Sequence, residues 1–178
     1  PLYCLTMRIH PFKAIIPVLS KLTEVDDFFD TVREEFSTYY KNGYFEDVNE
    51  DALYIYQITS PTENHIGLIA SLDLEDYRDK KIKKHENTLL EKEKQQMALL
   101  LERGAMVKPI LLTYKDNDLL HSTLFSLIEN TALFYEIYTK KANQHHRFWK
   151  ISEPSQMELL QALFLSEIPK CYIADGHH

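Results

Sequence analysis

Glycine, cysteine and basic charge are all in short supply in this chain of 178 residues. Four glycines and seven prolines exclude a collagen-like or linker-like polymer. Two cysteines, Cys4 and Cys171, stand near opposite ends of the sequence. They are too few for a disulfide scaffold, and no CxxC spacing marks a zinc or redox site. We expect two reduced thiols in a cytoplasmic protein. Lys and Arg number 20 against 27 Asp and Glu, a formal charge of −7. Phosphate contact dominates nucleic-acid affinity, so this balance argues against DNA or RNA as a partner. Only Lys80, Lys81, Lys83 and Lys84 cluster. No apolar run approaches the ~20 residues that span a bilayer, and no basic-then-apolar leader is visible. A membrane role is therefore not expected.

What remains is ordinary: 44% hydrophobic and 26% charged residues, enough apolar surface to offset the entropy of folding. At roughly 100–200 residues per domain, 1–178 reads as a single domain. Val25, Phe28, Phe29, Val32, Phe36 and Tyr40 recur at helical spacing, with Asp26, Asp27, Asp30, Glu34 and Glu35 opposite. Thr23 and Asp26 form a start signal and Gly43 a stop, predicting a helix from about 24 to 41. Ala52–Ile58 and Ile66–Leu72 flank the turn residues Ser60–Asn64 and predict a hairpin. A second helix is expected from Asn87 to Gly104, its side formed by Leu90, Met97, Leu100 and Leu101. Pro109–Tyr114 predicts a strand, Asp116–Asp118 the cap of a helix to Glu129, and Leu133–Tyr138 and Arg147–Ile151 two more strands. Pro154 opens a last helix, and Cys171–Ala174 is a short apolar strand. Alternating helices and strands with a hairpin imply an α/β domain of mixed α+β layers.

Three clusters can carry chemistry. The first is Asp175-Gly176-His177-His178 after the last strand. A glycine turn followed by a helix offers backbone N–H groups to an anion, and adjacent histidines add donors. The alternative is a plain turn. The second is His85-Glu86, a base and its orienter, or the polar start of a helix capped by Asn87 or Thr88. The zinc-protease pattern fails there because position 89 is Leu. The third is His145-His146-Arg147, an anion or metal pair or else a hairpin turn entering a strand. The lysines at 80–84 are expected to form a solvated turn, and Tyr54, Tyr56, Phe28 and Phe36 to be core. No metal site is assigned.

Four ordered segments together resemble one bacterial and archaeal family, domain of unknown function 1015. They are Arg8–Ala14, then Gly67–Tyr77 with Ile82–Thr88, then Pro109–Tyr114, then Tyr172–His178. The family continues its last motif with Arg and a helix, so the chain reads as an N-terminal portion of a longer protein. A stretch that follows the family's opening motif has no counterpart after Leu22. The last motif is similar to the second box of the ParB/sulfiredoxin-like superfamily, a mixed sheet flanked by helices. That resemblance implies a nucleotide-phosphate site: Gly176, His177 and His178 holding ATP, ADP or CTP with Mg²⁺, and Glu86, His85 and Asp175 as catalytic candidates. The implied activity is phosphotransfer or nucleotide hydrolysis. The alternatives are a ParB-like regulatory or DNA-associated module and a non-catalytic interaction module.

Overall fold

The computed structural model describes residues 7–84 and 89–176. Mixed helices and sheets make it an α/β fold, as expected. Its central sheet is antiparallel, in the order β5 (Asn64–Ile69), β4 (Leu53–Thr59), β10 (Gln144–Ile151), β9 (Tyr135–Thr139). Strand β4 is aromatic and β-branched, which suits a pleated surface. It joins β5 through the predicted hairpin, where Ser60 Oγ accepts from the Glu63 N–H at 3.1 Å. Register pairs Ile55 with Trp149 and Tyr54 with Lys150. Alternation therefore sends Leu53, Ile55, Trp149 and Ile151 to one face and Tyr54, Tyr56 and Phe148 to the other.

The first face is the main core. Helix α4 (Asp118–Glu129) brings Leu120, Leu124 and Leu127, and α5 (Pro154–Glu167) brings Leu160, Leu163 and Phe164. Both helices start as the sequence predicts. Asn117 caps α4 by accepting from the Leu120 N–H at 2.8 Å, and Pro154 opens α5. The second face meets an aromatic layer on α1 (Val25–Lys41) and on β3 (Phe45–Asp47), which pairs with β2 (Ile15–Pro17). Phe36 lies 4.9 Å from Phe45 and Phe28 5.6 Å from it, ring centre to ring centre.

A second sheet has β11 (Cys171–Asp175) in the middle, parallel to β7 (Ile82–Lys83) and antiparallel to β8 (Leu111–Thr113). Ile82, Cys171 and Ile173 reach into the same core as the central sheet. Strand β1 (Ile9–His10) pairs with β6 (Ser71–Leu72), ahead of the short α2 (Leu74–Arg78). Helix α3 (Leu90–Arg103) ends in a left-handed Gly104.

Two helix starts differ from expectation. Helix α1 is preceded by Glu24 and α3 by Leu89, and neither makes a side-chain cap bond. The start of α1 therefore does not use Thr23, while its stop does use Gly43, at φ +73°. Asn87 and Thr88 lie outside the described residues. The apolar side expected of α3 is also not buried: Leu90, Met97, Leu100 and Leu101 are all exposed.

Candidate active site at the end of the small sheet

Strand β11 carries the site's backbone. Cys171 sits beside Ile82 and Tyr172 beside Lys83, so β7 and β11 run in the same direction and leave the sheet at the same end. The Cys171 N–H donates to the Lys81 carbonyl at 3.0 Å. On the other side β11 pairs with β8, and the register shifts between Ile173 and Asp175. Irregularities of this kind end pairing and re-aim side chains, and they concentrate near active sites.

The turn follows at once. Gly176 has φ +77°, a left-handed conformation that glycine adopts at little cost. A Cβ there would stand 3.3 Å from Ile110 Cα, so the backbone also approaches its neighbour closely. Asp175 Oδ1 accepts from the Gly176 N–H at 2.8 Å, and its Oδ2 lies 3.3 Å from Lys108 Nζ. Beside Gly176 opens a recess of about 370 Å³, bounded by α1, α3 and residues 105–110. Arg33, Arg103 and Lys108 line it, with Glu93 as the one carboxylate among its described walls. Arg103 Nη2 is buried there without a hydrogen-bond partner among the described residues. A buried donor of this kind is costly unless something accepts from it.

Of the residues singled out in the sequence, Gly176 lines this recess and Asp175 adjoins it through Lys108. His85, Glu86, His177 and His178 lie outside the described residues.

The adjacent histidines of the third cluster are separated by strand alternation. His145 Nε2 lies 2.8 Å from Glu136 Oε2 on one face. His146 turns to the other, its Nδ1 2.7 Å from the Tyr56 hydroxyl and its Nε2 3.3 Å from Thr139 Oγ1. Burial, then the neighbouring His145, lowers the His146 pKa. The pair therefore cannot share one ligand, and the hairpin-and-strand reading is the right one. No group of three or more His, Cys, Asp or Glu among the described residues could hold a metal.

One charged cluster escaped sequence reading. Asp76 is fully buried and accepts from the Arg8 N–H at 2.7 Å, from Arg8 Nη2 at 3.0 Å and from Lys81 Nζ at 2.9 Å. Burial alone would raise the Asp76 pKa, but these donors override it and hold the carboxyl below its ordinary value. Lys81 is itself buried, so 80–84 is not a wholly solvated turn. The carboxylate takes Lys81 inward, and Lys84 lies over the Tyr77 ring at 5.2 Å. This cluster ties β1 and α2 to the start of β7, and so holds one wall of the small sheet. The available signal was that Arg8 and Asp76 each stand in one of the four family-like segments.

Fold and site together define a mixed α/β domain with a cation-lined recess at a glycine turn. The chain belongs to the family described as protein of unknown function (DUF1015), whose model matches residues 12–178. No curated protein and no solved structure matches it. No helix among the described residues is long and apolar enough to cross a membrane.

Proposed function

We propose that the recess beside Gly176 binds the phosphate groups of a nucleotide, and that the protein is a nucleotide-dependent phosphotransferase or nucleotide hydrolase. The observation that carries this reading is the glycine bend opening onto Arg33, Arg103 and Lys108, with an unpartnered guanidinium N–H among them. Arginine forks match phosphate oxygens in pairs, and a close backbone lets N–H groups join them. The likeness of Asp175-Gly176-His177-His178 to the ParB/sulfiredoxin-like second box supports the same ligand class. In this reading Gly176 admits the phosphate, His177 and His178 add donors, and Asp175 holds Lys108 toward it. His85 and Glu86 come next in sequence after the strand parallel to β11, and in this reading Glu86 acts as base. Mg²⁺ would be carried by the phosphates, because Asp175 already engages Lys108 and the Gly176 N–H. Catalysis of this kind is mostly positioning and electrostatic stabilisation.

Calorimetric titration of the intact protein with ATP, ADP and CTP in Mg²⁺ tests it. Saturable binding of at least one is expected, and Arg103→Gln is expected to weaken it about tenfold, the effect of one charge-assisted bond. Absence of binding to all three at millimolar concentration overturns the reading.

A further inference from the structure

One wall of the recess beside Gly176 is a single face of α3. Glu93, Gln96, Leu100 and Arg103 recur at steps of three and four, so they stand in one row, with Met97 beside it. At a rise of about 1.5 Å per residue, Glu93 and Arg103 lie roughly 15 Å apart along the helix. Arg103 makes one end cationic, and Lys108 follows it in the chain. The other end holds a carboxylate, Glu93, and an amide, Gln96, both half-buried. Between the two ends Met97 and Leu100, with Met106 from the following loop, offer apolar surface.

That order matches a nucleotide laid along the helix. Its phosphates meet the cations, the flat faces of its base meet methionine and leucine, and the polar rim of the base reaches Gln96 and Glu93. The two polar side chains then discriminate among bases. A carboxylate only accepts, and its two oxygens are best matched by two parallel N–H groups. Guanine alone among the four bases of ribonucleotides presents two adjacent N–H donors on one edge, at N1 and the 2-amino group. The carbonyl beside them accepts from an amide N–H. Adenine and cytosine place a ring nitrogen lone pair next to their amino group, and uracil flanks its one N–H with two carbonyls. Each would turn a lone pair toward the carboxylate, as a mismatched edge does in any polar site. Tyr77 and, more weakly, Glu93 raise the Lys84 pKa, so the carboxylate also feels Lys84. Its roughly four acceptor sites serve both.

We infer, resting on the phosphate reading above, that the recess selects a guanine nucleotide: Glu93 accepts from N1–H and the 2-amino group, Gln96 donates to the guanine carbonyl, and Arg103 and Lys108 meet the phosphates.

The test is calorimetric titration of the intact protein with GTP, ATP, CTP and UTP in Mg²⁺. GTP is expected to bind about tenfold tighter than the other three, the effect of one more charge-assisted hydrogen bond. The others still bind through their phosphates. Glu93→Gln keeps the size of the side chain and turns a donor toward guanine. It is expected to weaken GTP about tenfold, to leave ATP within about twofold, and to melt as the parent does. Equal affinity for all four nucleotides overturns the guanine assignment and leaves the phosphate site standing. So does a GTP preference that survives unchanged in Glu93→Gln, or tighter binding of any other base. Failure of all four to saturate at millimolar concentration overturns the phosphate reading as well.

Discussion

The two larger sheets of this protein are held in different ways. In the central sheet, β4 and β10 pair from Leu53–Ile151 to Thr59–His145, with helices on one face and an aromatic layer on the other. In the small sheet, β7 pairs with β11, among the described residues, at Ile82–Cys171 and Lys83–Tyr172. What fixes β7 there is the Asp76 carboxylate and its two cations, together with a few apolar side chains. The first region is stabilised by buried area, which is insensitive to pH and salt. The second depends on a charge arrangement and on backbone geometry at a turn. Regions of lower local stability are where ligand-binding segments are usually found. The candidate recess follows that pattern.

Four substitutions sharpen the contrast, and the largest effect belongs to the central sheet. Ile55 is fully buried, and Ile55→Ala is expected to cost about 2–5 kcal/mol by urea unfolding, through lost transfer energy and the cavity left behind. Next comes Asp76→Ala, which leaves Lys81 buried beside Arg8 without its carboxylate. A loss of about 3 kcal/mol is expected at neutral pH. Because the native Asp76 pKa lies below 3.8, its contribution is complete above that value and fades as pH falls through the lower native one. The parent and Asp76→Ala should therefore converge in stability in acid, whereas the cost of Ile55→Ala should hardly change. A pH-independent gap for Asp76→Ala would show that packing, not charge, is what the residue supplies.

Gly176→Val follows. Its φ of +77° and the 3.3 Å approach to Ile110 Cα predict a local cost of about 1–3 kcal/mol, measured by thermal melting. If the phosphate reading holds, this variant loses nucleotide binding while the central sheet keeps its hydrogen-exchange protection. The smallest effect is expected from Leu101→Glu on α3. The residue is exposed, so the change in stability should stay within about 0.5 kcal/mol.

The same contrast explains what could be read from the residues alone. The central sheet, α1, α4 and α5 announce themselves through period and turn chemistry, and Asn117, Pro154 and Gly43 mark their ends. Strands β1, β2, β3 and β7 have two or three residues each, too short for any period to show. Helix α3 carries a helical pattern whose apolar residues stay exposed, so its burial was overestimated. At the site, Asp175 and Gly176 were legible from the strand-then-turn pattern. Arg33, Arg103 and Lys108 were not, because Arg33 lies far from the other two in sequence and only the fold brings it to the same recess. Asp76 was hidden for a related reason: a carboxylate in a helix's first turn normally faces water, and only tertiary structure turns this one inward.

Parallel pairing of β7 with β11 carries one more consequence. Six of the described elements, α3, β8, α4, β9, β10 and α5, are made between these two strands. During synthesis, Ile82 and Lys83 must wait with one edge unmatched until Cys171 and Tyr172 emerge. Such long-range closure is slow relative to hairpins. Pairing of the small sheet thus comes late among the described elements, and a chain stalled before Cys171 would hold β7 without its partner strand.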